Sequence, residues 1–197
     1  MNYLIHFLTF ITTFTVQTPE QPALQLEVPP ELPAFILGEG HIPDYYLTAF
    51  LQRRNMVLKP DFVSELARLY VEEAAAEGVN HDIAFVQMCL ETGFLHFGNL
   101  VKPDMNNFAG LGAINASQPG EHFPDPRTGV RAQIQHLKGY ATEDPLVQAL
   151  VDPRYKWVRK GSAPTIAGLA GTWASDPRYA AKITGLVEQL YRFSSGE

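Results

Sequence analysis

NHDIAFVQMCLETGF, residues 80–94, begins with an amide that can cap a helix and ends with a glycine that can stop one. Between them Ile83, Val86, Met88 and Leu90 make the segment apolar enough to be a buried helix. Cys89, the one cysteine of the chain, lies inside this run and reads as a small buried hydrophobe. With a single thiol no intrachain disulfide can form. Glu91 stands near the C-terminal end of the segment, among Leu90, Phe94, Leu95 and Phe97. The negative end of the helix dipole and an apolar setting both disfavour its anion, so both push its pKa upward. A carboxyl group that keeps its proton near neutrality can protonate a leaving oxygen, the step that glycoside cleavage requires. The plain alternative is a solvent-facing glutamate in the last helical turn.

Helical patterning extends outward in both directions. Upstream, Pro60 and Asp61 open an amphipathic helix with Phe62, Val63, Leu66, Leu69 and Tyr70 on one face, closed at Gly78. Asp44 is placed to cap a shorter helix through Tyr45, Tyr46, Ala49 and Phe50. Downstream, residues 98–120 are turn-rich, and a short hairpin-like lobe is expected between Gly110 and Gly129. The helical period resumes at Val130 with Ile134 and Leu137, followed by a short turn of helix over Leu146–Leu150 and another over Thr165–Trp173. A last helix has Asp176 as its cap and Pro177 at its first position, then Ile183, Leu186, Val187 and Leu190. The fold class expected is α+β, predominantly α-helical, with a helical lobe and a small β lobe.

The N-terminal residues have another character. Met1–Val16 is nearly all apolar or small hydroxyl residues, shorter than the ~20 needed to span a bilayer. Its length suits the apolar part of a signal peptide, although no Lys or Arg precedes it. Residues 1–18 are therefore expected to direct export, to the periplasm or cell envelope. Residues 19–43 form a linker with five prolines between Pro19 and Pro33, and residues 44–197 form the folded domain. The formal net charge of −6 opposes tight binding to nucleic acid or an anionic membrane.

Two other segments bear on chemistry. In Asn106-Asn107-Phe108-Ala109-Gly110-Leu111-Gly112, paired amides can bond sugar hydroxyls and acetamido groups, and the glycines admit close backbone approach. In Asp176-Pro177-Arg178-Tyr179-Ala180-Ala181-Lys182-Ile183, capping explains the first two residues but not Tyr179, whose phenol can face a cleft. Together with Glu91-Thr92-Gly93-Phe94, these segments resemble the glucosaminidase family of peptidoglycan hydrolases, glycoside hydrolase family 73, over about Asp61–Arg192. The resemblance implies a lysozyme-like fold with its cleft between the helical and β lobes. It implies Glu91 as general acid, Tyr179 beside it, and hydrolysis of the β-1,4 bond after N-acetylglucosamine in peptidoglycan. It also departs from the commoner family pattern, a Gly-Trp-Gly directly after the glutamate, because Phe94-Leu95-His96-Phe97-Gly98 stands there.

For a second catalytic group the resemblance offers Glu121 or Asp125 in the expected β lobe, while Asp125 also reads as a turn residue. A carboxylate pair roughly 5 Å apart suits a nucleophile and one about 6.5–9.5 Å apart suits an attacking water. Attack by the substrate's own acetamido group is a third route. Substrate contacts are expected from Asn106, Asn107, Phe108, Phe94 and Gly110, with Trp157 and Tyr155 as stacking surfaces and Trp173 in the core. His81, His96, His122 and His136 have no metal-binding spacing, and no metal or cofactor is expected. Alternatives are a lytic transglycosylase or muramidase, an endoglycosidase acting on N-linked glycans, and a non-catalytic glycan-binding module.

Overall fold

The computed structural model describes residues 32–98 and 100–196. The expected export segment, and the linker up to residue 31, lie outside them. Six α-helices follow in order: α1 (Asp44–Arg54), α2 (Pro60–Glu77), α3 (His81–Thr92), α4 (Pro126–Ala141), α5 (Ile166–Leu169) and α6 (Tyr179–Ser195). Helix α3 starts where the Asn80 side chain accepts from the Ile83 N–H at 3.2 Å, and stops at Gly93 in the left-handed region. From His81 to Cys89 every one of its residues is buried, so this helix has no wet face. Helices α2, α4 and α6 pack against it. Leu66 and Tyr70 of α2, Ile134 of α4 and Ile183 and Val187 of α6 join Phe85 and Val86 in one core. Burying each leucine-sized side chain there contributes about 1.5–3 kcal/mol.

Three helix starts differ from the pattern reading. Helix α1 takes Asp44 as its first residue, with Pro43 at the cap position and no side-chain cap bond, so Asp44 places its charge in the first turn and does not cap it. Helix α4 begins at Pro126, ahead of Val130, because the Asp125 side chain accepts from the Thr128 N–H at 2.8 Å and Pro126 takes the first helical position. Helix α6 begins at Tyr179, after the Asp176–Pro177 pair, whose Asp176 Oδ1 instead accepts from the Arg178 N–H at 2.9 Å in a turn leading into the helix. No helix forms over Leu146–Leu150. There the N–H groups of Val147 and Gln148 each donate to the Glu77 carboxylate at 2.9 Å, which replaces the helical bonds.

The expected β-hairpin lobe is a correction of the same kind. Between Gly110 and Pro126 the described residues form no strands, only an isolated bridge of Asn115 to Gln118. The two limbs of the excursion are tied by Glu121 N–H to the Leu111 carbonyl (2.8 Å) and Ile114 N–H to the Gln118 carbonyl (2.9 Å). Without alternating apolar residues there is nothing to bury on one face of a ladder, and the chain stays a looped lobe. A lysozyme-like, predominantly helical fold results. Part of the segment read as linker is packed into it: Ile36 and Ile42 are buried, and the His41 and Ile42 N–H groups donate to the buried Asp82 carboxylate. No helix among the described residues is long and apolar enough to cross a membrane.

Charges join α2 to α4. Glu73 accepts from Arg127 and Arg131, and Glu77 accepts from Lys138 at 2.9 Å. Burial pushes the Glu77 carboxyl upward, but the Val147 N–H, Lys138 and the Gln148 N–H outweigh it and hold the pKa below the ordinary carboxylate range. A depressed folded-state pKa gives stability that is present above the unfolded value and is lost as pH falls through the folded one. Glu77→Ala would leave the buried Lys138 ammonium without this carboxylate. A loss of about 3–5 kcal/mol in urea denaturation near neutral pH is expected, with part of it recovered when Lys138→Met is added.

Candidate active site

Helix α3 delivers Glu91 to the wall of a cavity of about 990 Å³. Beyond Gly93 the chain turns sharply, with Phe94, Leu95 and Phe97 also at positive φ (57°, 61° and 49°). Such backbone is costly for residues with a Cβ and is held only by its surroundings. Here Phe94 N–H donates to the Cys89 carbonyl, Leu95 N–H to the Thr92 hydroxyl and Asn55 Nδ2 to the Phe94 carbonyl. This turn is what replaces the Gly-Trp-Gly of the commoner pattern, and it sets His96, Phe97 and Gly98 in the cavity wall beside Glu91. Phe94 itself packs on Phe50 and under the Arg54 guanidinium.

Two donors converge on one oxygen of Glu91. The Tyr179 hydroxyl, at the start of α6, donates to Oε1 at 2.5 Å. The Trp173 indole N–H, in the turn between α5 and α6, donates to the same Oε1 at 3.0 Å. Asn55 Oδ1 is the only buried side-chain oxygen or nitrogen without a partner among the described residues. Glu91 Oε2, which takes no hydrogen bond from them, is therefore open to the cavity. Burial raises the Glu91 pKa, and the bonds from Tyr179 and Trp173 only partly offset it. Burial, the Glu91 charge and the bond to it push the Tyr179 phenol upward as well, so it stays a proton-bearing donor.

The other residues singled out from sequence take several places. Gly110 and Asn107 line the cavity with Ala109. Asn107 is fully buried: its Oδ1 accepts from Leu111 N–H, and its Nδ2 donates to the Leu111 and Glu121 carbonyls. The Asn106 amide donates to the Phe123 carbonyl, and Phe108 lies in the main core. These two amides hold the loop in shape. The close approach also needs Gly129, where a Cβ would come 1.8 Å from the Asn106 carbonyl oxygen. Asp125 caps α4, while Glu121 lies 3.9 Å from Arg154, and neither stands in the wall of the Glu91 cavity. Glu91 is the one carboxyl group among the described residues of that wall.

A smaller cavity of about 230 Å³ shares Ala109, Gly110 and Trp173 with the first. Trp157, 59% exposed, stands in its wall with Arg154 and Lys156 over its ring at 4.1 and 4.2 Å. Tyr155 carries Lys160 over its ring. Trp173, read from sequence as core, packs against the core and also lines both cavities. Its ring stands edge-on to His136 at 5.1 Å, and His136 Nδ1 is 2.6 Å from Oδ2 of the buried Asp152. Nothing in the run around Trp173 marks it for the site. Its apolar neighbours predict burial, and only the turn through Gly171 (φ 85°) brings its N–H to Glu91.

A helical domain with a cleft, and in its wall one carboxyl group raised toward its neutral form, has the constitution of a glycosidase. Residues 67–192 match the family model described as "Glucosaminidase: Mannosyl-glycoprotein endo-beta-N-acetylglucosaminidase", and the chain belongs to this glucosaminidase family. An uncharacterised protein of Borreliella burgdorferi (strain B31) is 37% identical over 161 residues, which cover 82% of this chain and 79% of that protein. No solved structure matches the chain. Family and fold together make the protein a glycoside hydrolase acting on glycans.

Because Oε1 meets only donors, an amide can take the place of the Glu91 carboxyl with its oxygen toward Tyr179 and Trp173. The amide also carries no charge to desolvate. Glu91→Gln should fold and melt, by circular dichroism near neutral pH, at or above the wild-type temperature. A drop of more than a few degrees would show that the carboxylate charge supports the fold.

Proposed function

We propose that the protein cleaves the β-1,4 bond after N-acetylglucosamine within peptidoglycan glycan strands, with Glu91 as general acid. The observation that carries the proposal is the Glu91 carboxyl itself: desolvated, bonded through Oε1 to two fixed donors, and open to the cavity through Oε2. Its neutral form presents the Oε2 proton to the glycosidic oxygen. As that proton moves, the charge left on the carboxylate is met at Oε1 by Tyr179 and Trp173, which need not move to meet it. The choice of peptidoglycan rests on the likeness of the three motif segments to peptidoglycan hydrolases.

Among the described residues no second carboxyl lines the Glu91 cavity, and this favours attack by the acetamido group of the substrate. In that route the acetamido oxygen bonds to the anomeric carbon as the bond to the leaving oxygen breaks, and the Glu91 proton goes to the leaving oxygen. Water then opens the cyclic intermediate and returns a proton to Glu91. The product keeps the anomeric configuration. Glu121 or Asp125 acting as base through a water would invert it instead. Export to the cell envelope fits the apolar N-terminal run and the location of such a substrate.

Muropeptide release from purified peptidoglycan, with borohydride-reduced products analysed by mass, tests bond and acid together. Glucosaminitol ends are expected from wild type. Glu91→Gln should lose on the order of 100-fold or more in rate. Anhydromuramyl ends would indicate a lytic transglycosylase. Release from N-linked glycoproteins, with none from peptidoglycan, would move the substrate to those glycans.

The pH profile gives a separate check. Activity that needs protonated Glu91 falls as pH rises through its pKa. Tyr179→Phe removes a donor that favours the anion, so the Glu91 pKa rises further and the alkaline limb of kcat moves to higher pH. At the same time kcat should fall by about tenfold to 100-fold for loss of one donor to the developing charge. An alkaline limb that moves downward would contradict the assignment.

A further inference from the structure

Gln87 and Gln133 are both 0% exposed, which is an expensive place for primary amides unless every polar atom is used. They are used in one continuous line. The Tyr70 hydroxyl donates to Gln133 Oε1 at 2.6 Å, Gln133 Nε2 donates to Gln87 Oε1 at 2.9 Å, and Gln87 Nε2 donates to the Tyr179 oxygen at 3.0 Å. Tyr179 then donates to Glu91 Oε1. Helices α2, α4, α3 and α6 contribute in turn, and Gln87 lies one helical turn before Glu91 on the same helix.

The direction of this line is dictated. Gln133 Nε2 also lies 3.0 Å from the backbone carbonyl oxygen of Ala84, and a carbonyl can only accept. That fixes the nitrogen side of Gln133, so its oxygen must face Tyr70 and its nitrogen must meet an oxygen of Gln87. The nitrogen of Gln87 is then turned to Tyr179, whose own oxygen is occupied as an acceptor. The phenol proton has one remaining acceptor, Glu91 Oε1. With Oε1 filled by Tyr179 and Trp173, the transferable proton of the acid belongs on Oε2.

We infer that Gln87 and Gln133 are positioning residues for the reaction: they orient the Tyr179 hydroxyl toward Glu91 Oε1 and thereby keep the acid's proton on the oxygen that faces substrate. The inference rests on the reading of Glu91 as the acid, but its action on the carboxyl can be measured without turnover. Donation by Gln87 polarises the phenol and strengthens its bond to Glu91, since linked hydrogen bonds reinforce one another.

The test is a double-mutant cycle on the full-length chain labelled with 13C at the glutamate carboxyls, with the Glu91 signal identified by its loss in Glu91→Gln. Its titration is followed by NMR in wild type, Gln87→Leu, Tyr179→Phe and the double variant, beside kcat and KM on peptidoglycan. Gln87→Leu should raise the Glu91 pKa by less than Tyr179→Phe does, and should add nothing once Tyr179→Phe is present. It should lower kcat about tenfold while KM stays within about twofold. Gln87→Glu keeps the shape but offers the phenol an acceptor, so it should lower kcat more than Gln87→Leu. Gln133→Met reads the same cycle one link farther away should Gln87→Leu fail to fold. A Gln87 effect on Glu91 that is equally large without the Tyr179 hydroxyl, or absent in both backgrounds, would reduce the two glutamines to core filling and overturn the inference. Coupling in the titration with no cleavage of any glycan would keep the positioning role and remove only the acid role of Glu91.

Discussion

Helix α3 turns no face to solvent from His81 to Cys89, and the rest of the structure follows from covering it. A helix that is buried all round must be enclosed by other elements, and its polar groups, Asp82 and Gln87, must find partners there. Helices α2, α4 and α6 pack on it, and the strap at Ile36–Ile42 is fastened across its start through Asp82. A carboxyl group placed at the far end of such a helix is desolvated by the same packing that stabilises the domain. Burial alone raises the Glu91 pKa, against the lowering bonds from Tyr179 and Trp173. The position of this group in the fold does the tuning, and the surrounding donors limit how far it goes.

The donors around Glu91 come from elements of different kinds. Tyr179 sits in the first turn of a 17-residue helix whose inner face is core. Trp173 sits in a turn and is held by ring contacts with His136 and Tyr140. Trp173 lines both cavities, whereas the Tyr179 oxygen accepts from the buried Gln87 amide.

Much of this was legible in sequence because it follows from local patterns. Asn80 and Gly93 bound α3, Pro60 and Gly78 bound α2, and an apolar helix end predicts the environment of Glu91 from its neighbours alone. The hairpin was expected from turn residues, yet no alternation supported it, and the chain uses Asn107 as a staple where strands would have used a ladder. Asp125 was legible as a turn residue and serves as a helix cap. Trp173 was not legible: its role depends on a turn that carries an indole across to another helix, 82 residues away in sequence. Gln87 and Gln133 were equally silent, since a glutamine in a helix reads as surface until its neighbours are known. Long-range polar contacts between helices leave no periodic trace, whereas burial does.

The single thiol of the chain has a use that concerns how the molecule comes apart. Cys89 lies in the last turn of α3, fully buried, and burial pushes its thiol pKa far up. A thiol must be exposed and ionised to react, so modifying reagents can reach it only when α3 is uncovered. Uncovering α3 means separating it from the helices that enclose it, which amounts to losing the core. The rate at which Cys89 is alkylated under native conditions thus reports the opening of the whole domain and is blind to fraying at its edges. The chain carries its own clock for global unfolding, two residues from the group that defines its chemistry.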